Sequence, residues 1–273
     1  MTDPKHGSKT MQQYETIAVE AVDAHIWVIR LNRPDSANAL NTQMGLDGVA
    51  FFEAVAMDPG ALRCIIMTGM GDKAFCAGGD LKERNGMTDD TWRRQHVIFE
   101  RLMRSIIDCP VPVIAAVNGA AYAGGCEMAA CCDFIYAADY ARFALTECRL
   151  GIMPGGGGTQ NLSRAVGERR AKELILTARP FTAQEAEAWG LVNRILPGPE
   201  LLPAALETAR AIAANAPLSV RQAKQSIHRG LQMSLSDGLA FEIEAYNRLV
   251  PTSDRVEGIR AFNEKRQPRF TGT

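Results

Sequence analysis

Short apolar runs that read as buried strands recur along the first 196 residues with helical stretches between them, and only helices follow. That order restricts the chain to an α/β core with a C-terminal helical part, since strands separated by helices pair in parallel through crossovers. Residues 14–31 read as a β-hairpin turning at Asp23-Ala24, and strands are expected at 63–68, 113–117, 134–137, 142–144 and 191–196. Helices are expected over 44–57, 89–108, 125–132 and around 171–176. Thr182-Ala183-Gln184-Glu185 reads as a capping box opening another helix, which Gly190 ends. Pro197-Gly198-Pro199 reads as a break, and Asp254-Arg255-Val256-Glu257 as the cap of a last helix with Val256, Ile259 and Phe262 on one side. At 273 residues the chain fits one main core with a smaller appendage. The organisation expected is a disordered tail over 1–13, a core over 14–200 and a helical subdomain over 201–273.

Nothing in the bulk composition points to a polymer partner. The formal net charge is −1, which gives no electrostatic case for nucleic acid or a membrane surface. The one long apolar stretch, 109–138, contains Glu127, Asp133, two prolines and several glycines, so it reads as protein core rather than a bilayer span. The seven cysteines show no C-x-x-C pair and no metal-ligand spacing to the four histidines. They read as reduced thiols in a reducing compartment, most simply the cytoplasm.

Three glycine-rich segments could carry chemistry. Gly69-Met70-Gly71-Asp72-Lys73-Ala74 fits G-x-G-x-x-A, but no helix opens after it, so a dinucleotide site is not expected. Pro154-Gly155-Gly156-Gly157-Gly158-Thr159 lacks the lysine of a phosphate loop. The third, Asn118 to Glu127, ends at a helix start, where glycines expose N–H groups to an anion. Glu127 lies one turn into that apolar helix, where burial should raise its pKa. Glu147 follows a short strand. Two carboxylates at the edge of one apolar cavity suit general acid–base work on carbon.

In combination, Ala74 to Lys82, Asn118 to Glu127 and Leu145 to Gly155 resemble the crotonase (enoyl-CoA hydratase/isomerase) superfamily. Leu31-Asn32-Arg33-Pro34 and Asn38-Ala39-Leu40-Asn41 extend the resemblance, which covers nearly the whole chain from about residue 14. Asp80-Leu81-Lys82-Glu83-Arg84, the four glycines 155–158 and Arg255-Val256-Glu257-Gly258 look closest to the methylglutaconyl-CoA hydratase branch. The resemblance implies an α/β, crotonase-like spiral of ββα units whose C-terminal helices assemble homotrimers, often paired into hexamers. It implies an acyl-CoA substrate, with coenzyme A part of that substrate and no metal or further cofactor. Glu127 and Glu147 match the catalytic pair, Ala77 and Gly124 the oxyanion hole, and Gly155 the position that helps to hold the water. Ala37, Ala39, Ala77, Gly78, Gly79, Asp80 and Leu81 match positions that bind the CoA thioester. The implied reaction is syn addition of water across the 2,3 double bond, with Glu127 activating the water and Glu147 supplying the proton.

Two other readings stay open at this point. An isomerase shifting the double bond can run on one glutamate, and retention of both favours hydration. RNA binding, credited to a relative through a lysine-bearing early helix, finds no Lys or Arg over 44–57 to support it.

Overall fold

The computed structural model of the protein describes residues 13–273. The tail expected over 1–13 lies outside the described residues, save Gln13. β1 (Ile17–Ala21) and β2 (Ile26–Leu31) form the expected hairpin, with Ile17 opposite Leu31. Asp23 makes its turn, accepting the N–H groups of His25 and Ile26. Asn41 then caps α1 (Thr42–Met57) by accepting the Met44 N–H.

From there the strands come in pairs, each pair followed by helix. β3 (Cys64–Gly69) and β4 (Ala74–Cys76) precede α2 (Leu81–Arg84) and α3 (Asp89–Ile107). β5 (Val113–Val117) and β6 (Ala120–Tyr122) precede α4 (Gly124–Cys131). β7 (Phe134–Ala138) and β8 (Arg142–Ala144) precede α5 (Gly158–Val166) and α6 (Glu168–Thr177). β9 (Phe181–Thr182), α7 (Ala183–Ala188) and β10 (Arg194–Leu196) close the series. The first strand of each pair enters a sheet ordered β1-β2-β3-β5-β7-β10, and the second enters one ordered β4-β6-β8-β9. The chain therefore winds as a spiral between two sheets. β3 and β5 are buried at every residue, which is why they read as continuous apolar runs rather than alternating ones.

Four helices end the chain: α8 (Gly198–Ala213), α9 (Pro217–Gly230), α10 (Leu235–Asn247) and α11 (Ser253–Asn263). α8 lies across β3, β5 and β7, and its Leu201, Ala205 and Ala209 belong to the main core. α9 to α11 add little to that core, although α9 reaches its edge, where Lys224 donates to the Val111 carbonyl and pairs with Asp133 at 2.7 Å. None of the described helices is long and apolar enough to cross a membrane.

Several local expectations are corrected. The strand expected from Leu191 starts at Arg194, because the Leu191 and Val192 N–H groups both turn back to the Ala186 carbonyl. Pro197-Gly198-Pro199 is a helix start, with proline in the first turn where its missing N–H costs nothing. Thr252, not Asp254, caps α11 by accepting the Arg255 N–H. Asp254 is buried and holds the N–H groups of Thr271 and Gly272 instead. β4, β6 and β9, of three, three and two residues, were not expected as strands.

Candidate active site

Glu127 sits in the first turn of α4, which starts abruptly because Ala123 adopts φ 47°, ψ −122° and donates its N–H to the Ala144 carbonyl. So strained a residue costs about 1–3 kcal/mol and aims the helix N-terminus inward. Glu127 is 4% exposed. Its Oε1 accepts the N–H groups of Gly156 and Gly158, each at 2.8 Å. Gly158 opens α5, so the carboxylate also lies at a positive helix end. Burial raises the Glu127 pKa, while those two N–H groups and the Arg84 charge pull it back.

Glu147 is 6% exposed and begins the single 3₁₀ turn Glu147–Leu150 after β8, a turn that Gly151 ends in the left-handed conformation. Its Oε2 is buried with no hydrogen-bond partner among the described residues. Burial, then the neighbouring Glu127 charge, push its pKa up to about 7. Both acids line one cavity of about 670 Å³. A wider hollow of about 830 Å³ over α11 is lined by Glu257, Arg260 and Arg266, which pair with one another. The acids, not that hollow, mark the site.

Of the other expected residues, Ala77, Gly79, Leu81, Gly124 and Gly155 line the same cavity, and Ala37, Ala39, Gly78 and Asp80 do not. Ala77 needs correction as an oxyanion donor, because its N–H already donates to the Ala37 carbonyl at 3.1 Å. Successive N–H groups of extended chain point opposite ways. The Asp80 N–H and Gly78 carbonyl bond Leu40, leaving Gly79 N–H turned away from it without an acceptor among the described residues. A Cβ placed on Gly124 would lie 3.9 Å from Gly79 N, so these two N–H groups are neighbours. Gly78, at φ 94°, permits that approach: a Cβ there would lie 2.7 Å from the Ala123 Cβ. The Asp80 carboxylate is committed elsewhere, capping α2 and pairing with Arg33 at 2.9 Å. The Ala39 carbonyl accepts from Arg33.

Sequence reasoning missed the opposite wall. Trp92, His96, Phe99 and Met103 descend one face of α3 into the cavity, joined by Arg84 from α2. Their spacing of four, three and four residues was the available signal. Among the described residues, no three His, Cys, Asp or Glu side chains converge as a metal site would require.

An enoyl-CoA hydratase/isomerase family model matches residues 21–273. The chain belongs to this family. A short-chain-enoyl-CoA hydratase of Clostridium acetobutylicum is 40% identical, covering 90% of this chain and 94% of the relative. A crotonyl-CoA hydratase of Syntrophomonas wolfei is also 40% identical, covering 94% of this chain and 98% of the relative. The crystal structure of an enoyl-CoA hydratase from Bacillus anthracis superposes with a TM-score of 0.93 at 43% identity, over 95% of this chain and all of that one. The fold is therefore the crotonase fold of this family.

Proposed function

We propose that this protein is an enoyl-CoA hydratase adding water across the 2,3 double bond of an enoyl-CoA thioester. One observation carries the reading: two buried glutamates share a cavity whose wall offers two adjacent N–H groups without acceptors among the described residues. Gly79 and Gly124 N–H would hold the thioester oxygen, which gains charge as the Cα–Cβ bond polarises. Donors fixed at such a point are worth about 3–4 kcal/mol each. Glu127, held by two N–H groups at the α5 N-terminus, is the better carboxylate and activates the water for attack at Cβ. Glu147, with one oxygen unpartnered and its pKa near neutrality, carries the proton delivered to Cα. Gly155, on the cavity wall, would help to hold the water.

The methylglutaconyl-CoA hydratase resemblance rests on Asp80 to Arg84, glycines 155–158 and Arg255 to Gly258, and it stays at the level of those motifs. An assembly of three or six copies is also proposed, supported by the apolar side chains that α9 to α11 leave exposed. The test of the reaction is a parallel assay of crotonyl-CoA hydration and of 3-enoyl-CoA double-bond shift. Hydration should dominate. A double-bond shift without hydration would replace this reading with isomerisation.

A further inference from the structure

Two carboxyl groups in one apolar cavity cannot both ionise freely, because each charge raises the cost of the other. Glu127 and Glu147 are in that position, so a charge that offsets one of them has to come from the walls. Among the described residues lining the cavity, the cations are Arg84 and Arg93, with His96 as a further titratable group on α3. Arg93 pairs with Asp89 at 3.7 Å, and both side chains are largely exposed, so water and salt screen that charge. Arg84 is held differently. It ends α2, and its guanidinium carbon lies 4.3 Å from the Trp92 ring centre and 5.4 Å from that of Phe99. Its Nε donates to Gln95 Oε1 at 2.8 Å. Gln95, 3% exposed, is fixed in turn by donating to Thr42 Oγ1 and Glu83 Oε2. Nη1 and Nη2 have no acceptor among the described residues, so no contact neutralises the fork. The other charges nearby are committed or wet: Glu83 also accepts the Thr42 N–H, Asp80 pairs with Arg33, and Lys82 and Arg149 are exposed. Burial keeps the Cys126 and Cys131 thiols beside Glu127 protonated.

We propose that Arg84 is the counter-charge of the acid pair and fixes the cavity at one proton shared between Glu127 and Glu147. Resting on the hydratase reading, this adds Arg84 as a positioning residue that acts through the two acids. One fixed cation balances one carboxylate and leaves the second acid its proton. Syn hydration starts from that state, with one group ready to take a proton and the other ready to give one. The two N–H groups on Glu127 decide which acid is ionised, and Arg84 decides how many are. Both acids feel its charge, though neither is hydrogen-bonded to it. Without the cation, the apolar cavity would keep both acids protonated over a wider pH range and lose its base.

The test is the pH profile of kcat/KM for crotonyl-CoA hydration in wild type, Arg84→Met, Arg84→Gln and Arg84→Lys. Losing a positive charge raises the pKa of both carboxyls. The acid limb, where Glu127 gives up its proton, and the alkaline limb, where Glu147 does, should therefore both move to higher pH. The shift expected in the Met and Gln variants is roughly one unit, the lower end of what a neighbouring opposite charge does to a carboxyl. Arg84→Lys, which keeps the charge, should keep most of the wild-type profile. Limb positions do not depend on how much enzyme is folded, and two uncharged variants guard against one failing to fold. Met and Gln limbs at the wild-type pH, or a Lys profile displaced as far as theirs, overturns the proposal. Infrared carboxyl absorption asks the same question without turnover, at about pH 6, below the Glu147 value. The protonated Glu127 band, assigned by its loss in Glu127→Gln, should be absent from wild type and present in Arg84→Met, and equal bands overturn the proposal. A wild type that hydrates no enoyl-CoA defeats the hydratase reading, while the infrared comparison still decides the counter-charge.

Discussion

Glu127 and Glu147 share a cavity and nearly the same exposure, yet differ in what their oxygens meet, and that difference underlies the roles proposed for them. Two N–H groups stabilise the Glu127 anion, whereas burial and the neighbouring charge hold the Glu147 proton up to about pH 7. If Glu147 must be protonated to deliver its proton, kcat/KM should fall as pH rises above about 7, and a pH–rate profile checks it. Replacement of either acid by glutamine should lower kcat by orders of magnitude while the CoA thioester still binds, measurable by calorimetry. The same proton affects stability. The folded state binds it more tightly than the unfolded chain, whose glutamate titrates near 4.5. The folded form therefore carries more protons between about pH 4.5 and 7, and stability declines as pH rises through that window. Glu147→Gln should flatten the decline and melt a few degrees higher than wild type at pH 8, as thermal unfolding across pH would record.

At the scale of elements, the role proposed for Glu127 depends on how α5 meets α4. A Cβ on Gly158 would stand 2.9 Å from Glu127 Oε1 and 3.0 Å from its Cγ, so Gly158→Ala should displace the carboxylate. A kcat loss of roughly 100- to 1,000-fold is expected with the folded far-ultraviolet spectrum retained, the size of losing one fixed interaction in a site. The sequence showed that glycine run but not its use. Glycines 155–158 announced irregular backbone, and nothing in them named Glu127 as their partner 29 and 31 residues earlier. The long buried strands and α3 were legible because their periods persist over enough residues. β4 and β6 were not, although they place Gly79 and Gly124 side by side. The Ala77 expectation failed for the same reason. Which N–H of an extended segment is free depends on its pairing with Leu40, a contact made across nearly forty residues of chain.

Over the whole molecule, the core and the outer helices bury themselves very differently. The two sheets and α8 close around apolar side chains from Ile17 to Ala213, while α9 buries only Pro217 and α10 only Ala245. α10 instead shows solvent a row of Leu235, Leu239, Ile243 and Tyr246, spaced four, four and three residues apart, and α11 adds Phe262, 83% exposed. A soluble monomer seldom carries a continuous apolar face of this kind, since each such side chain gains about 1.5–3 kcal/mol on burial. Other copies of the chain, related by a rotation that closes, would cover it without an exposed edge. Wild-type protein should therefore elute at three or six times the chain mass in light scattering. Because Leu239 and Tyr246 contribute little to the monomer's own core, changing both to glutamate should release folded single chains at micromolar concentration. If the wild type is monomeric, or the double variant keeps the full assembly, the row on α10 is not the contact.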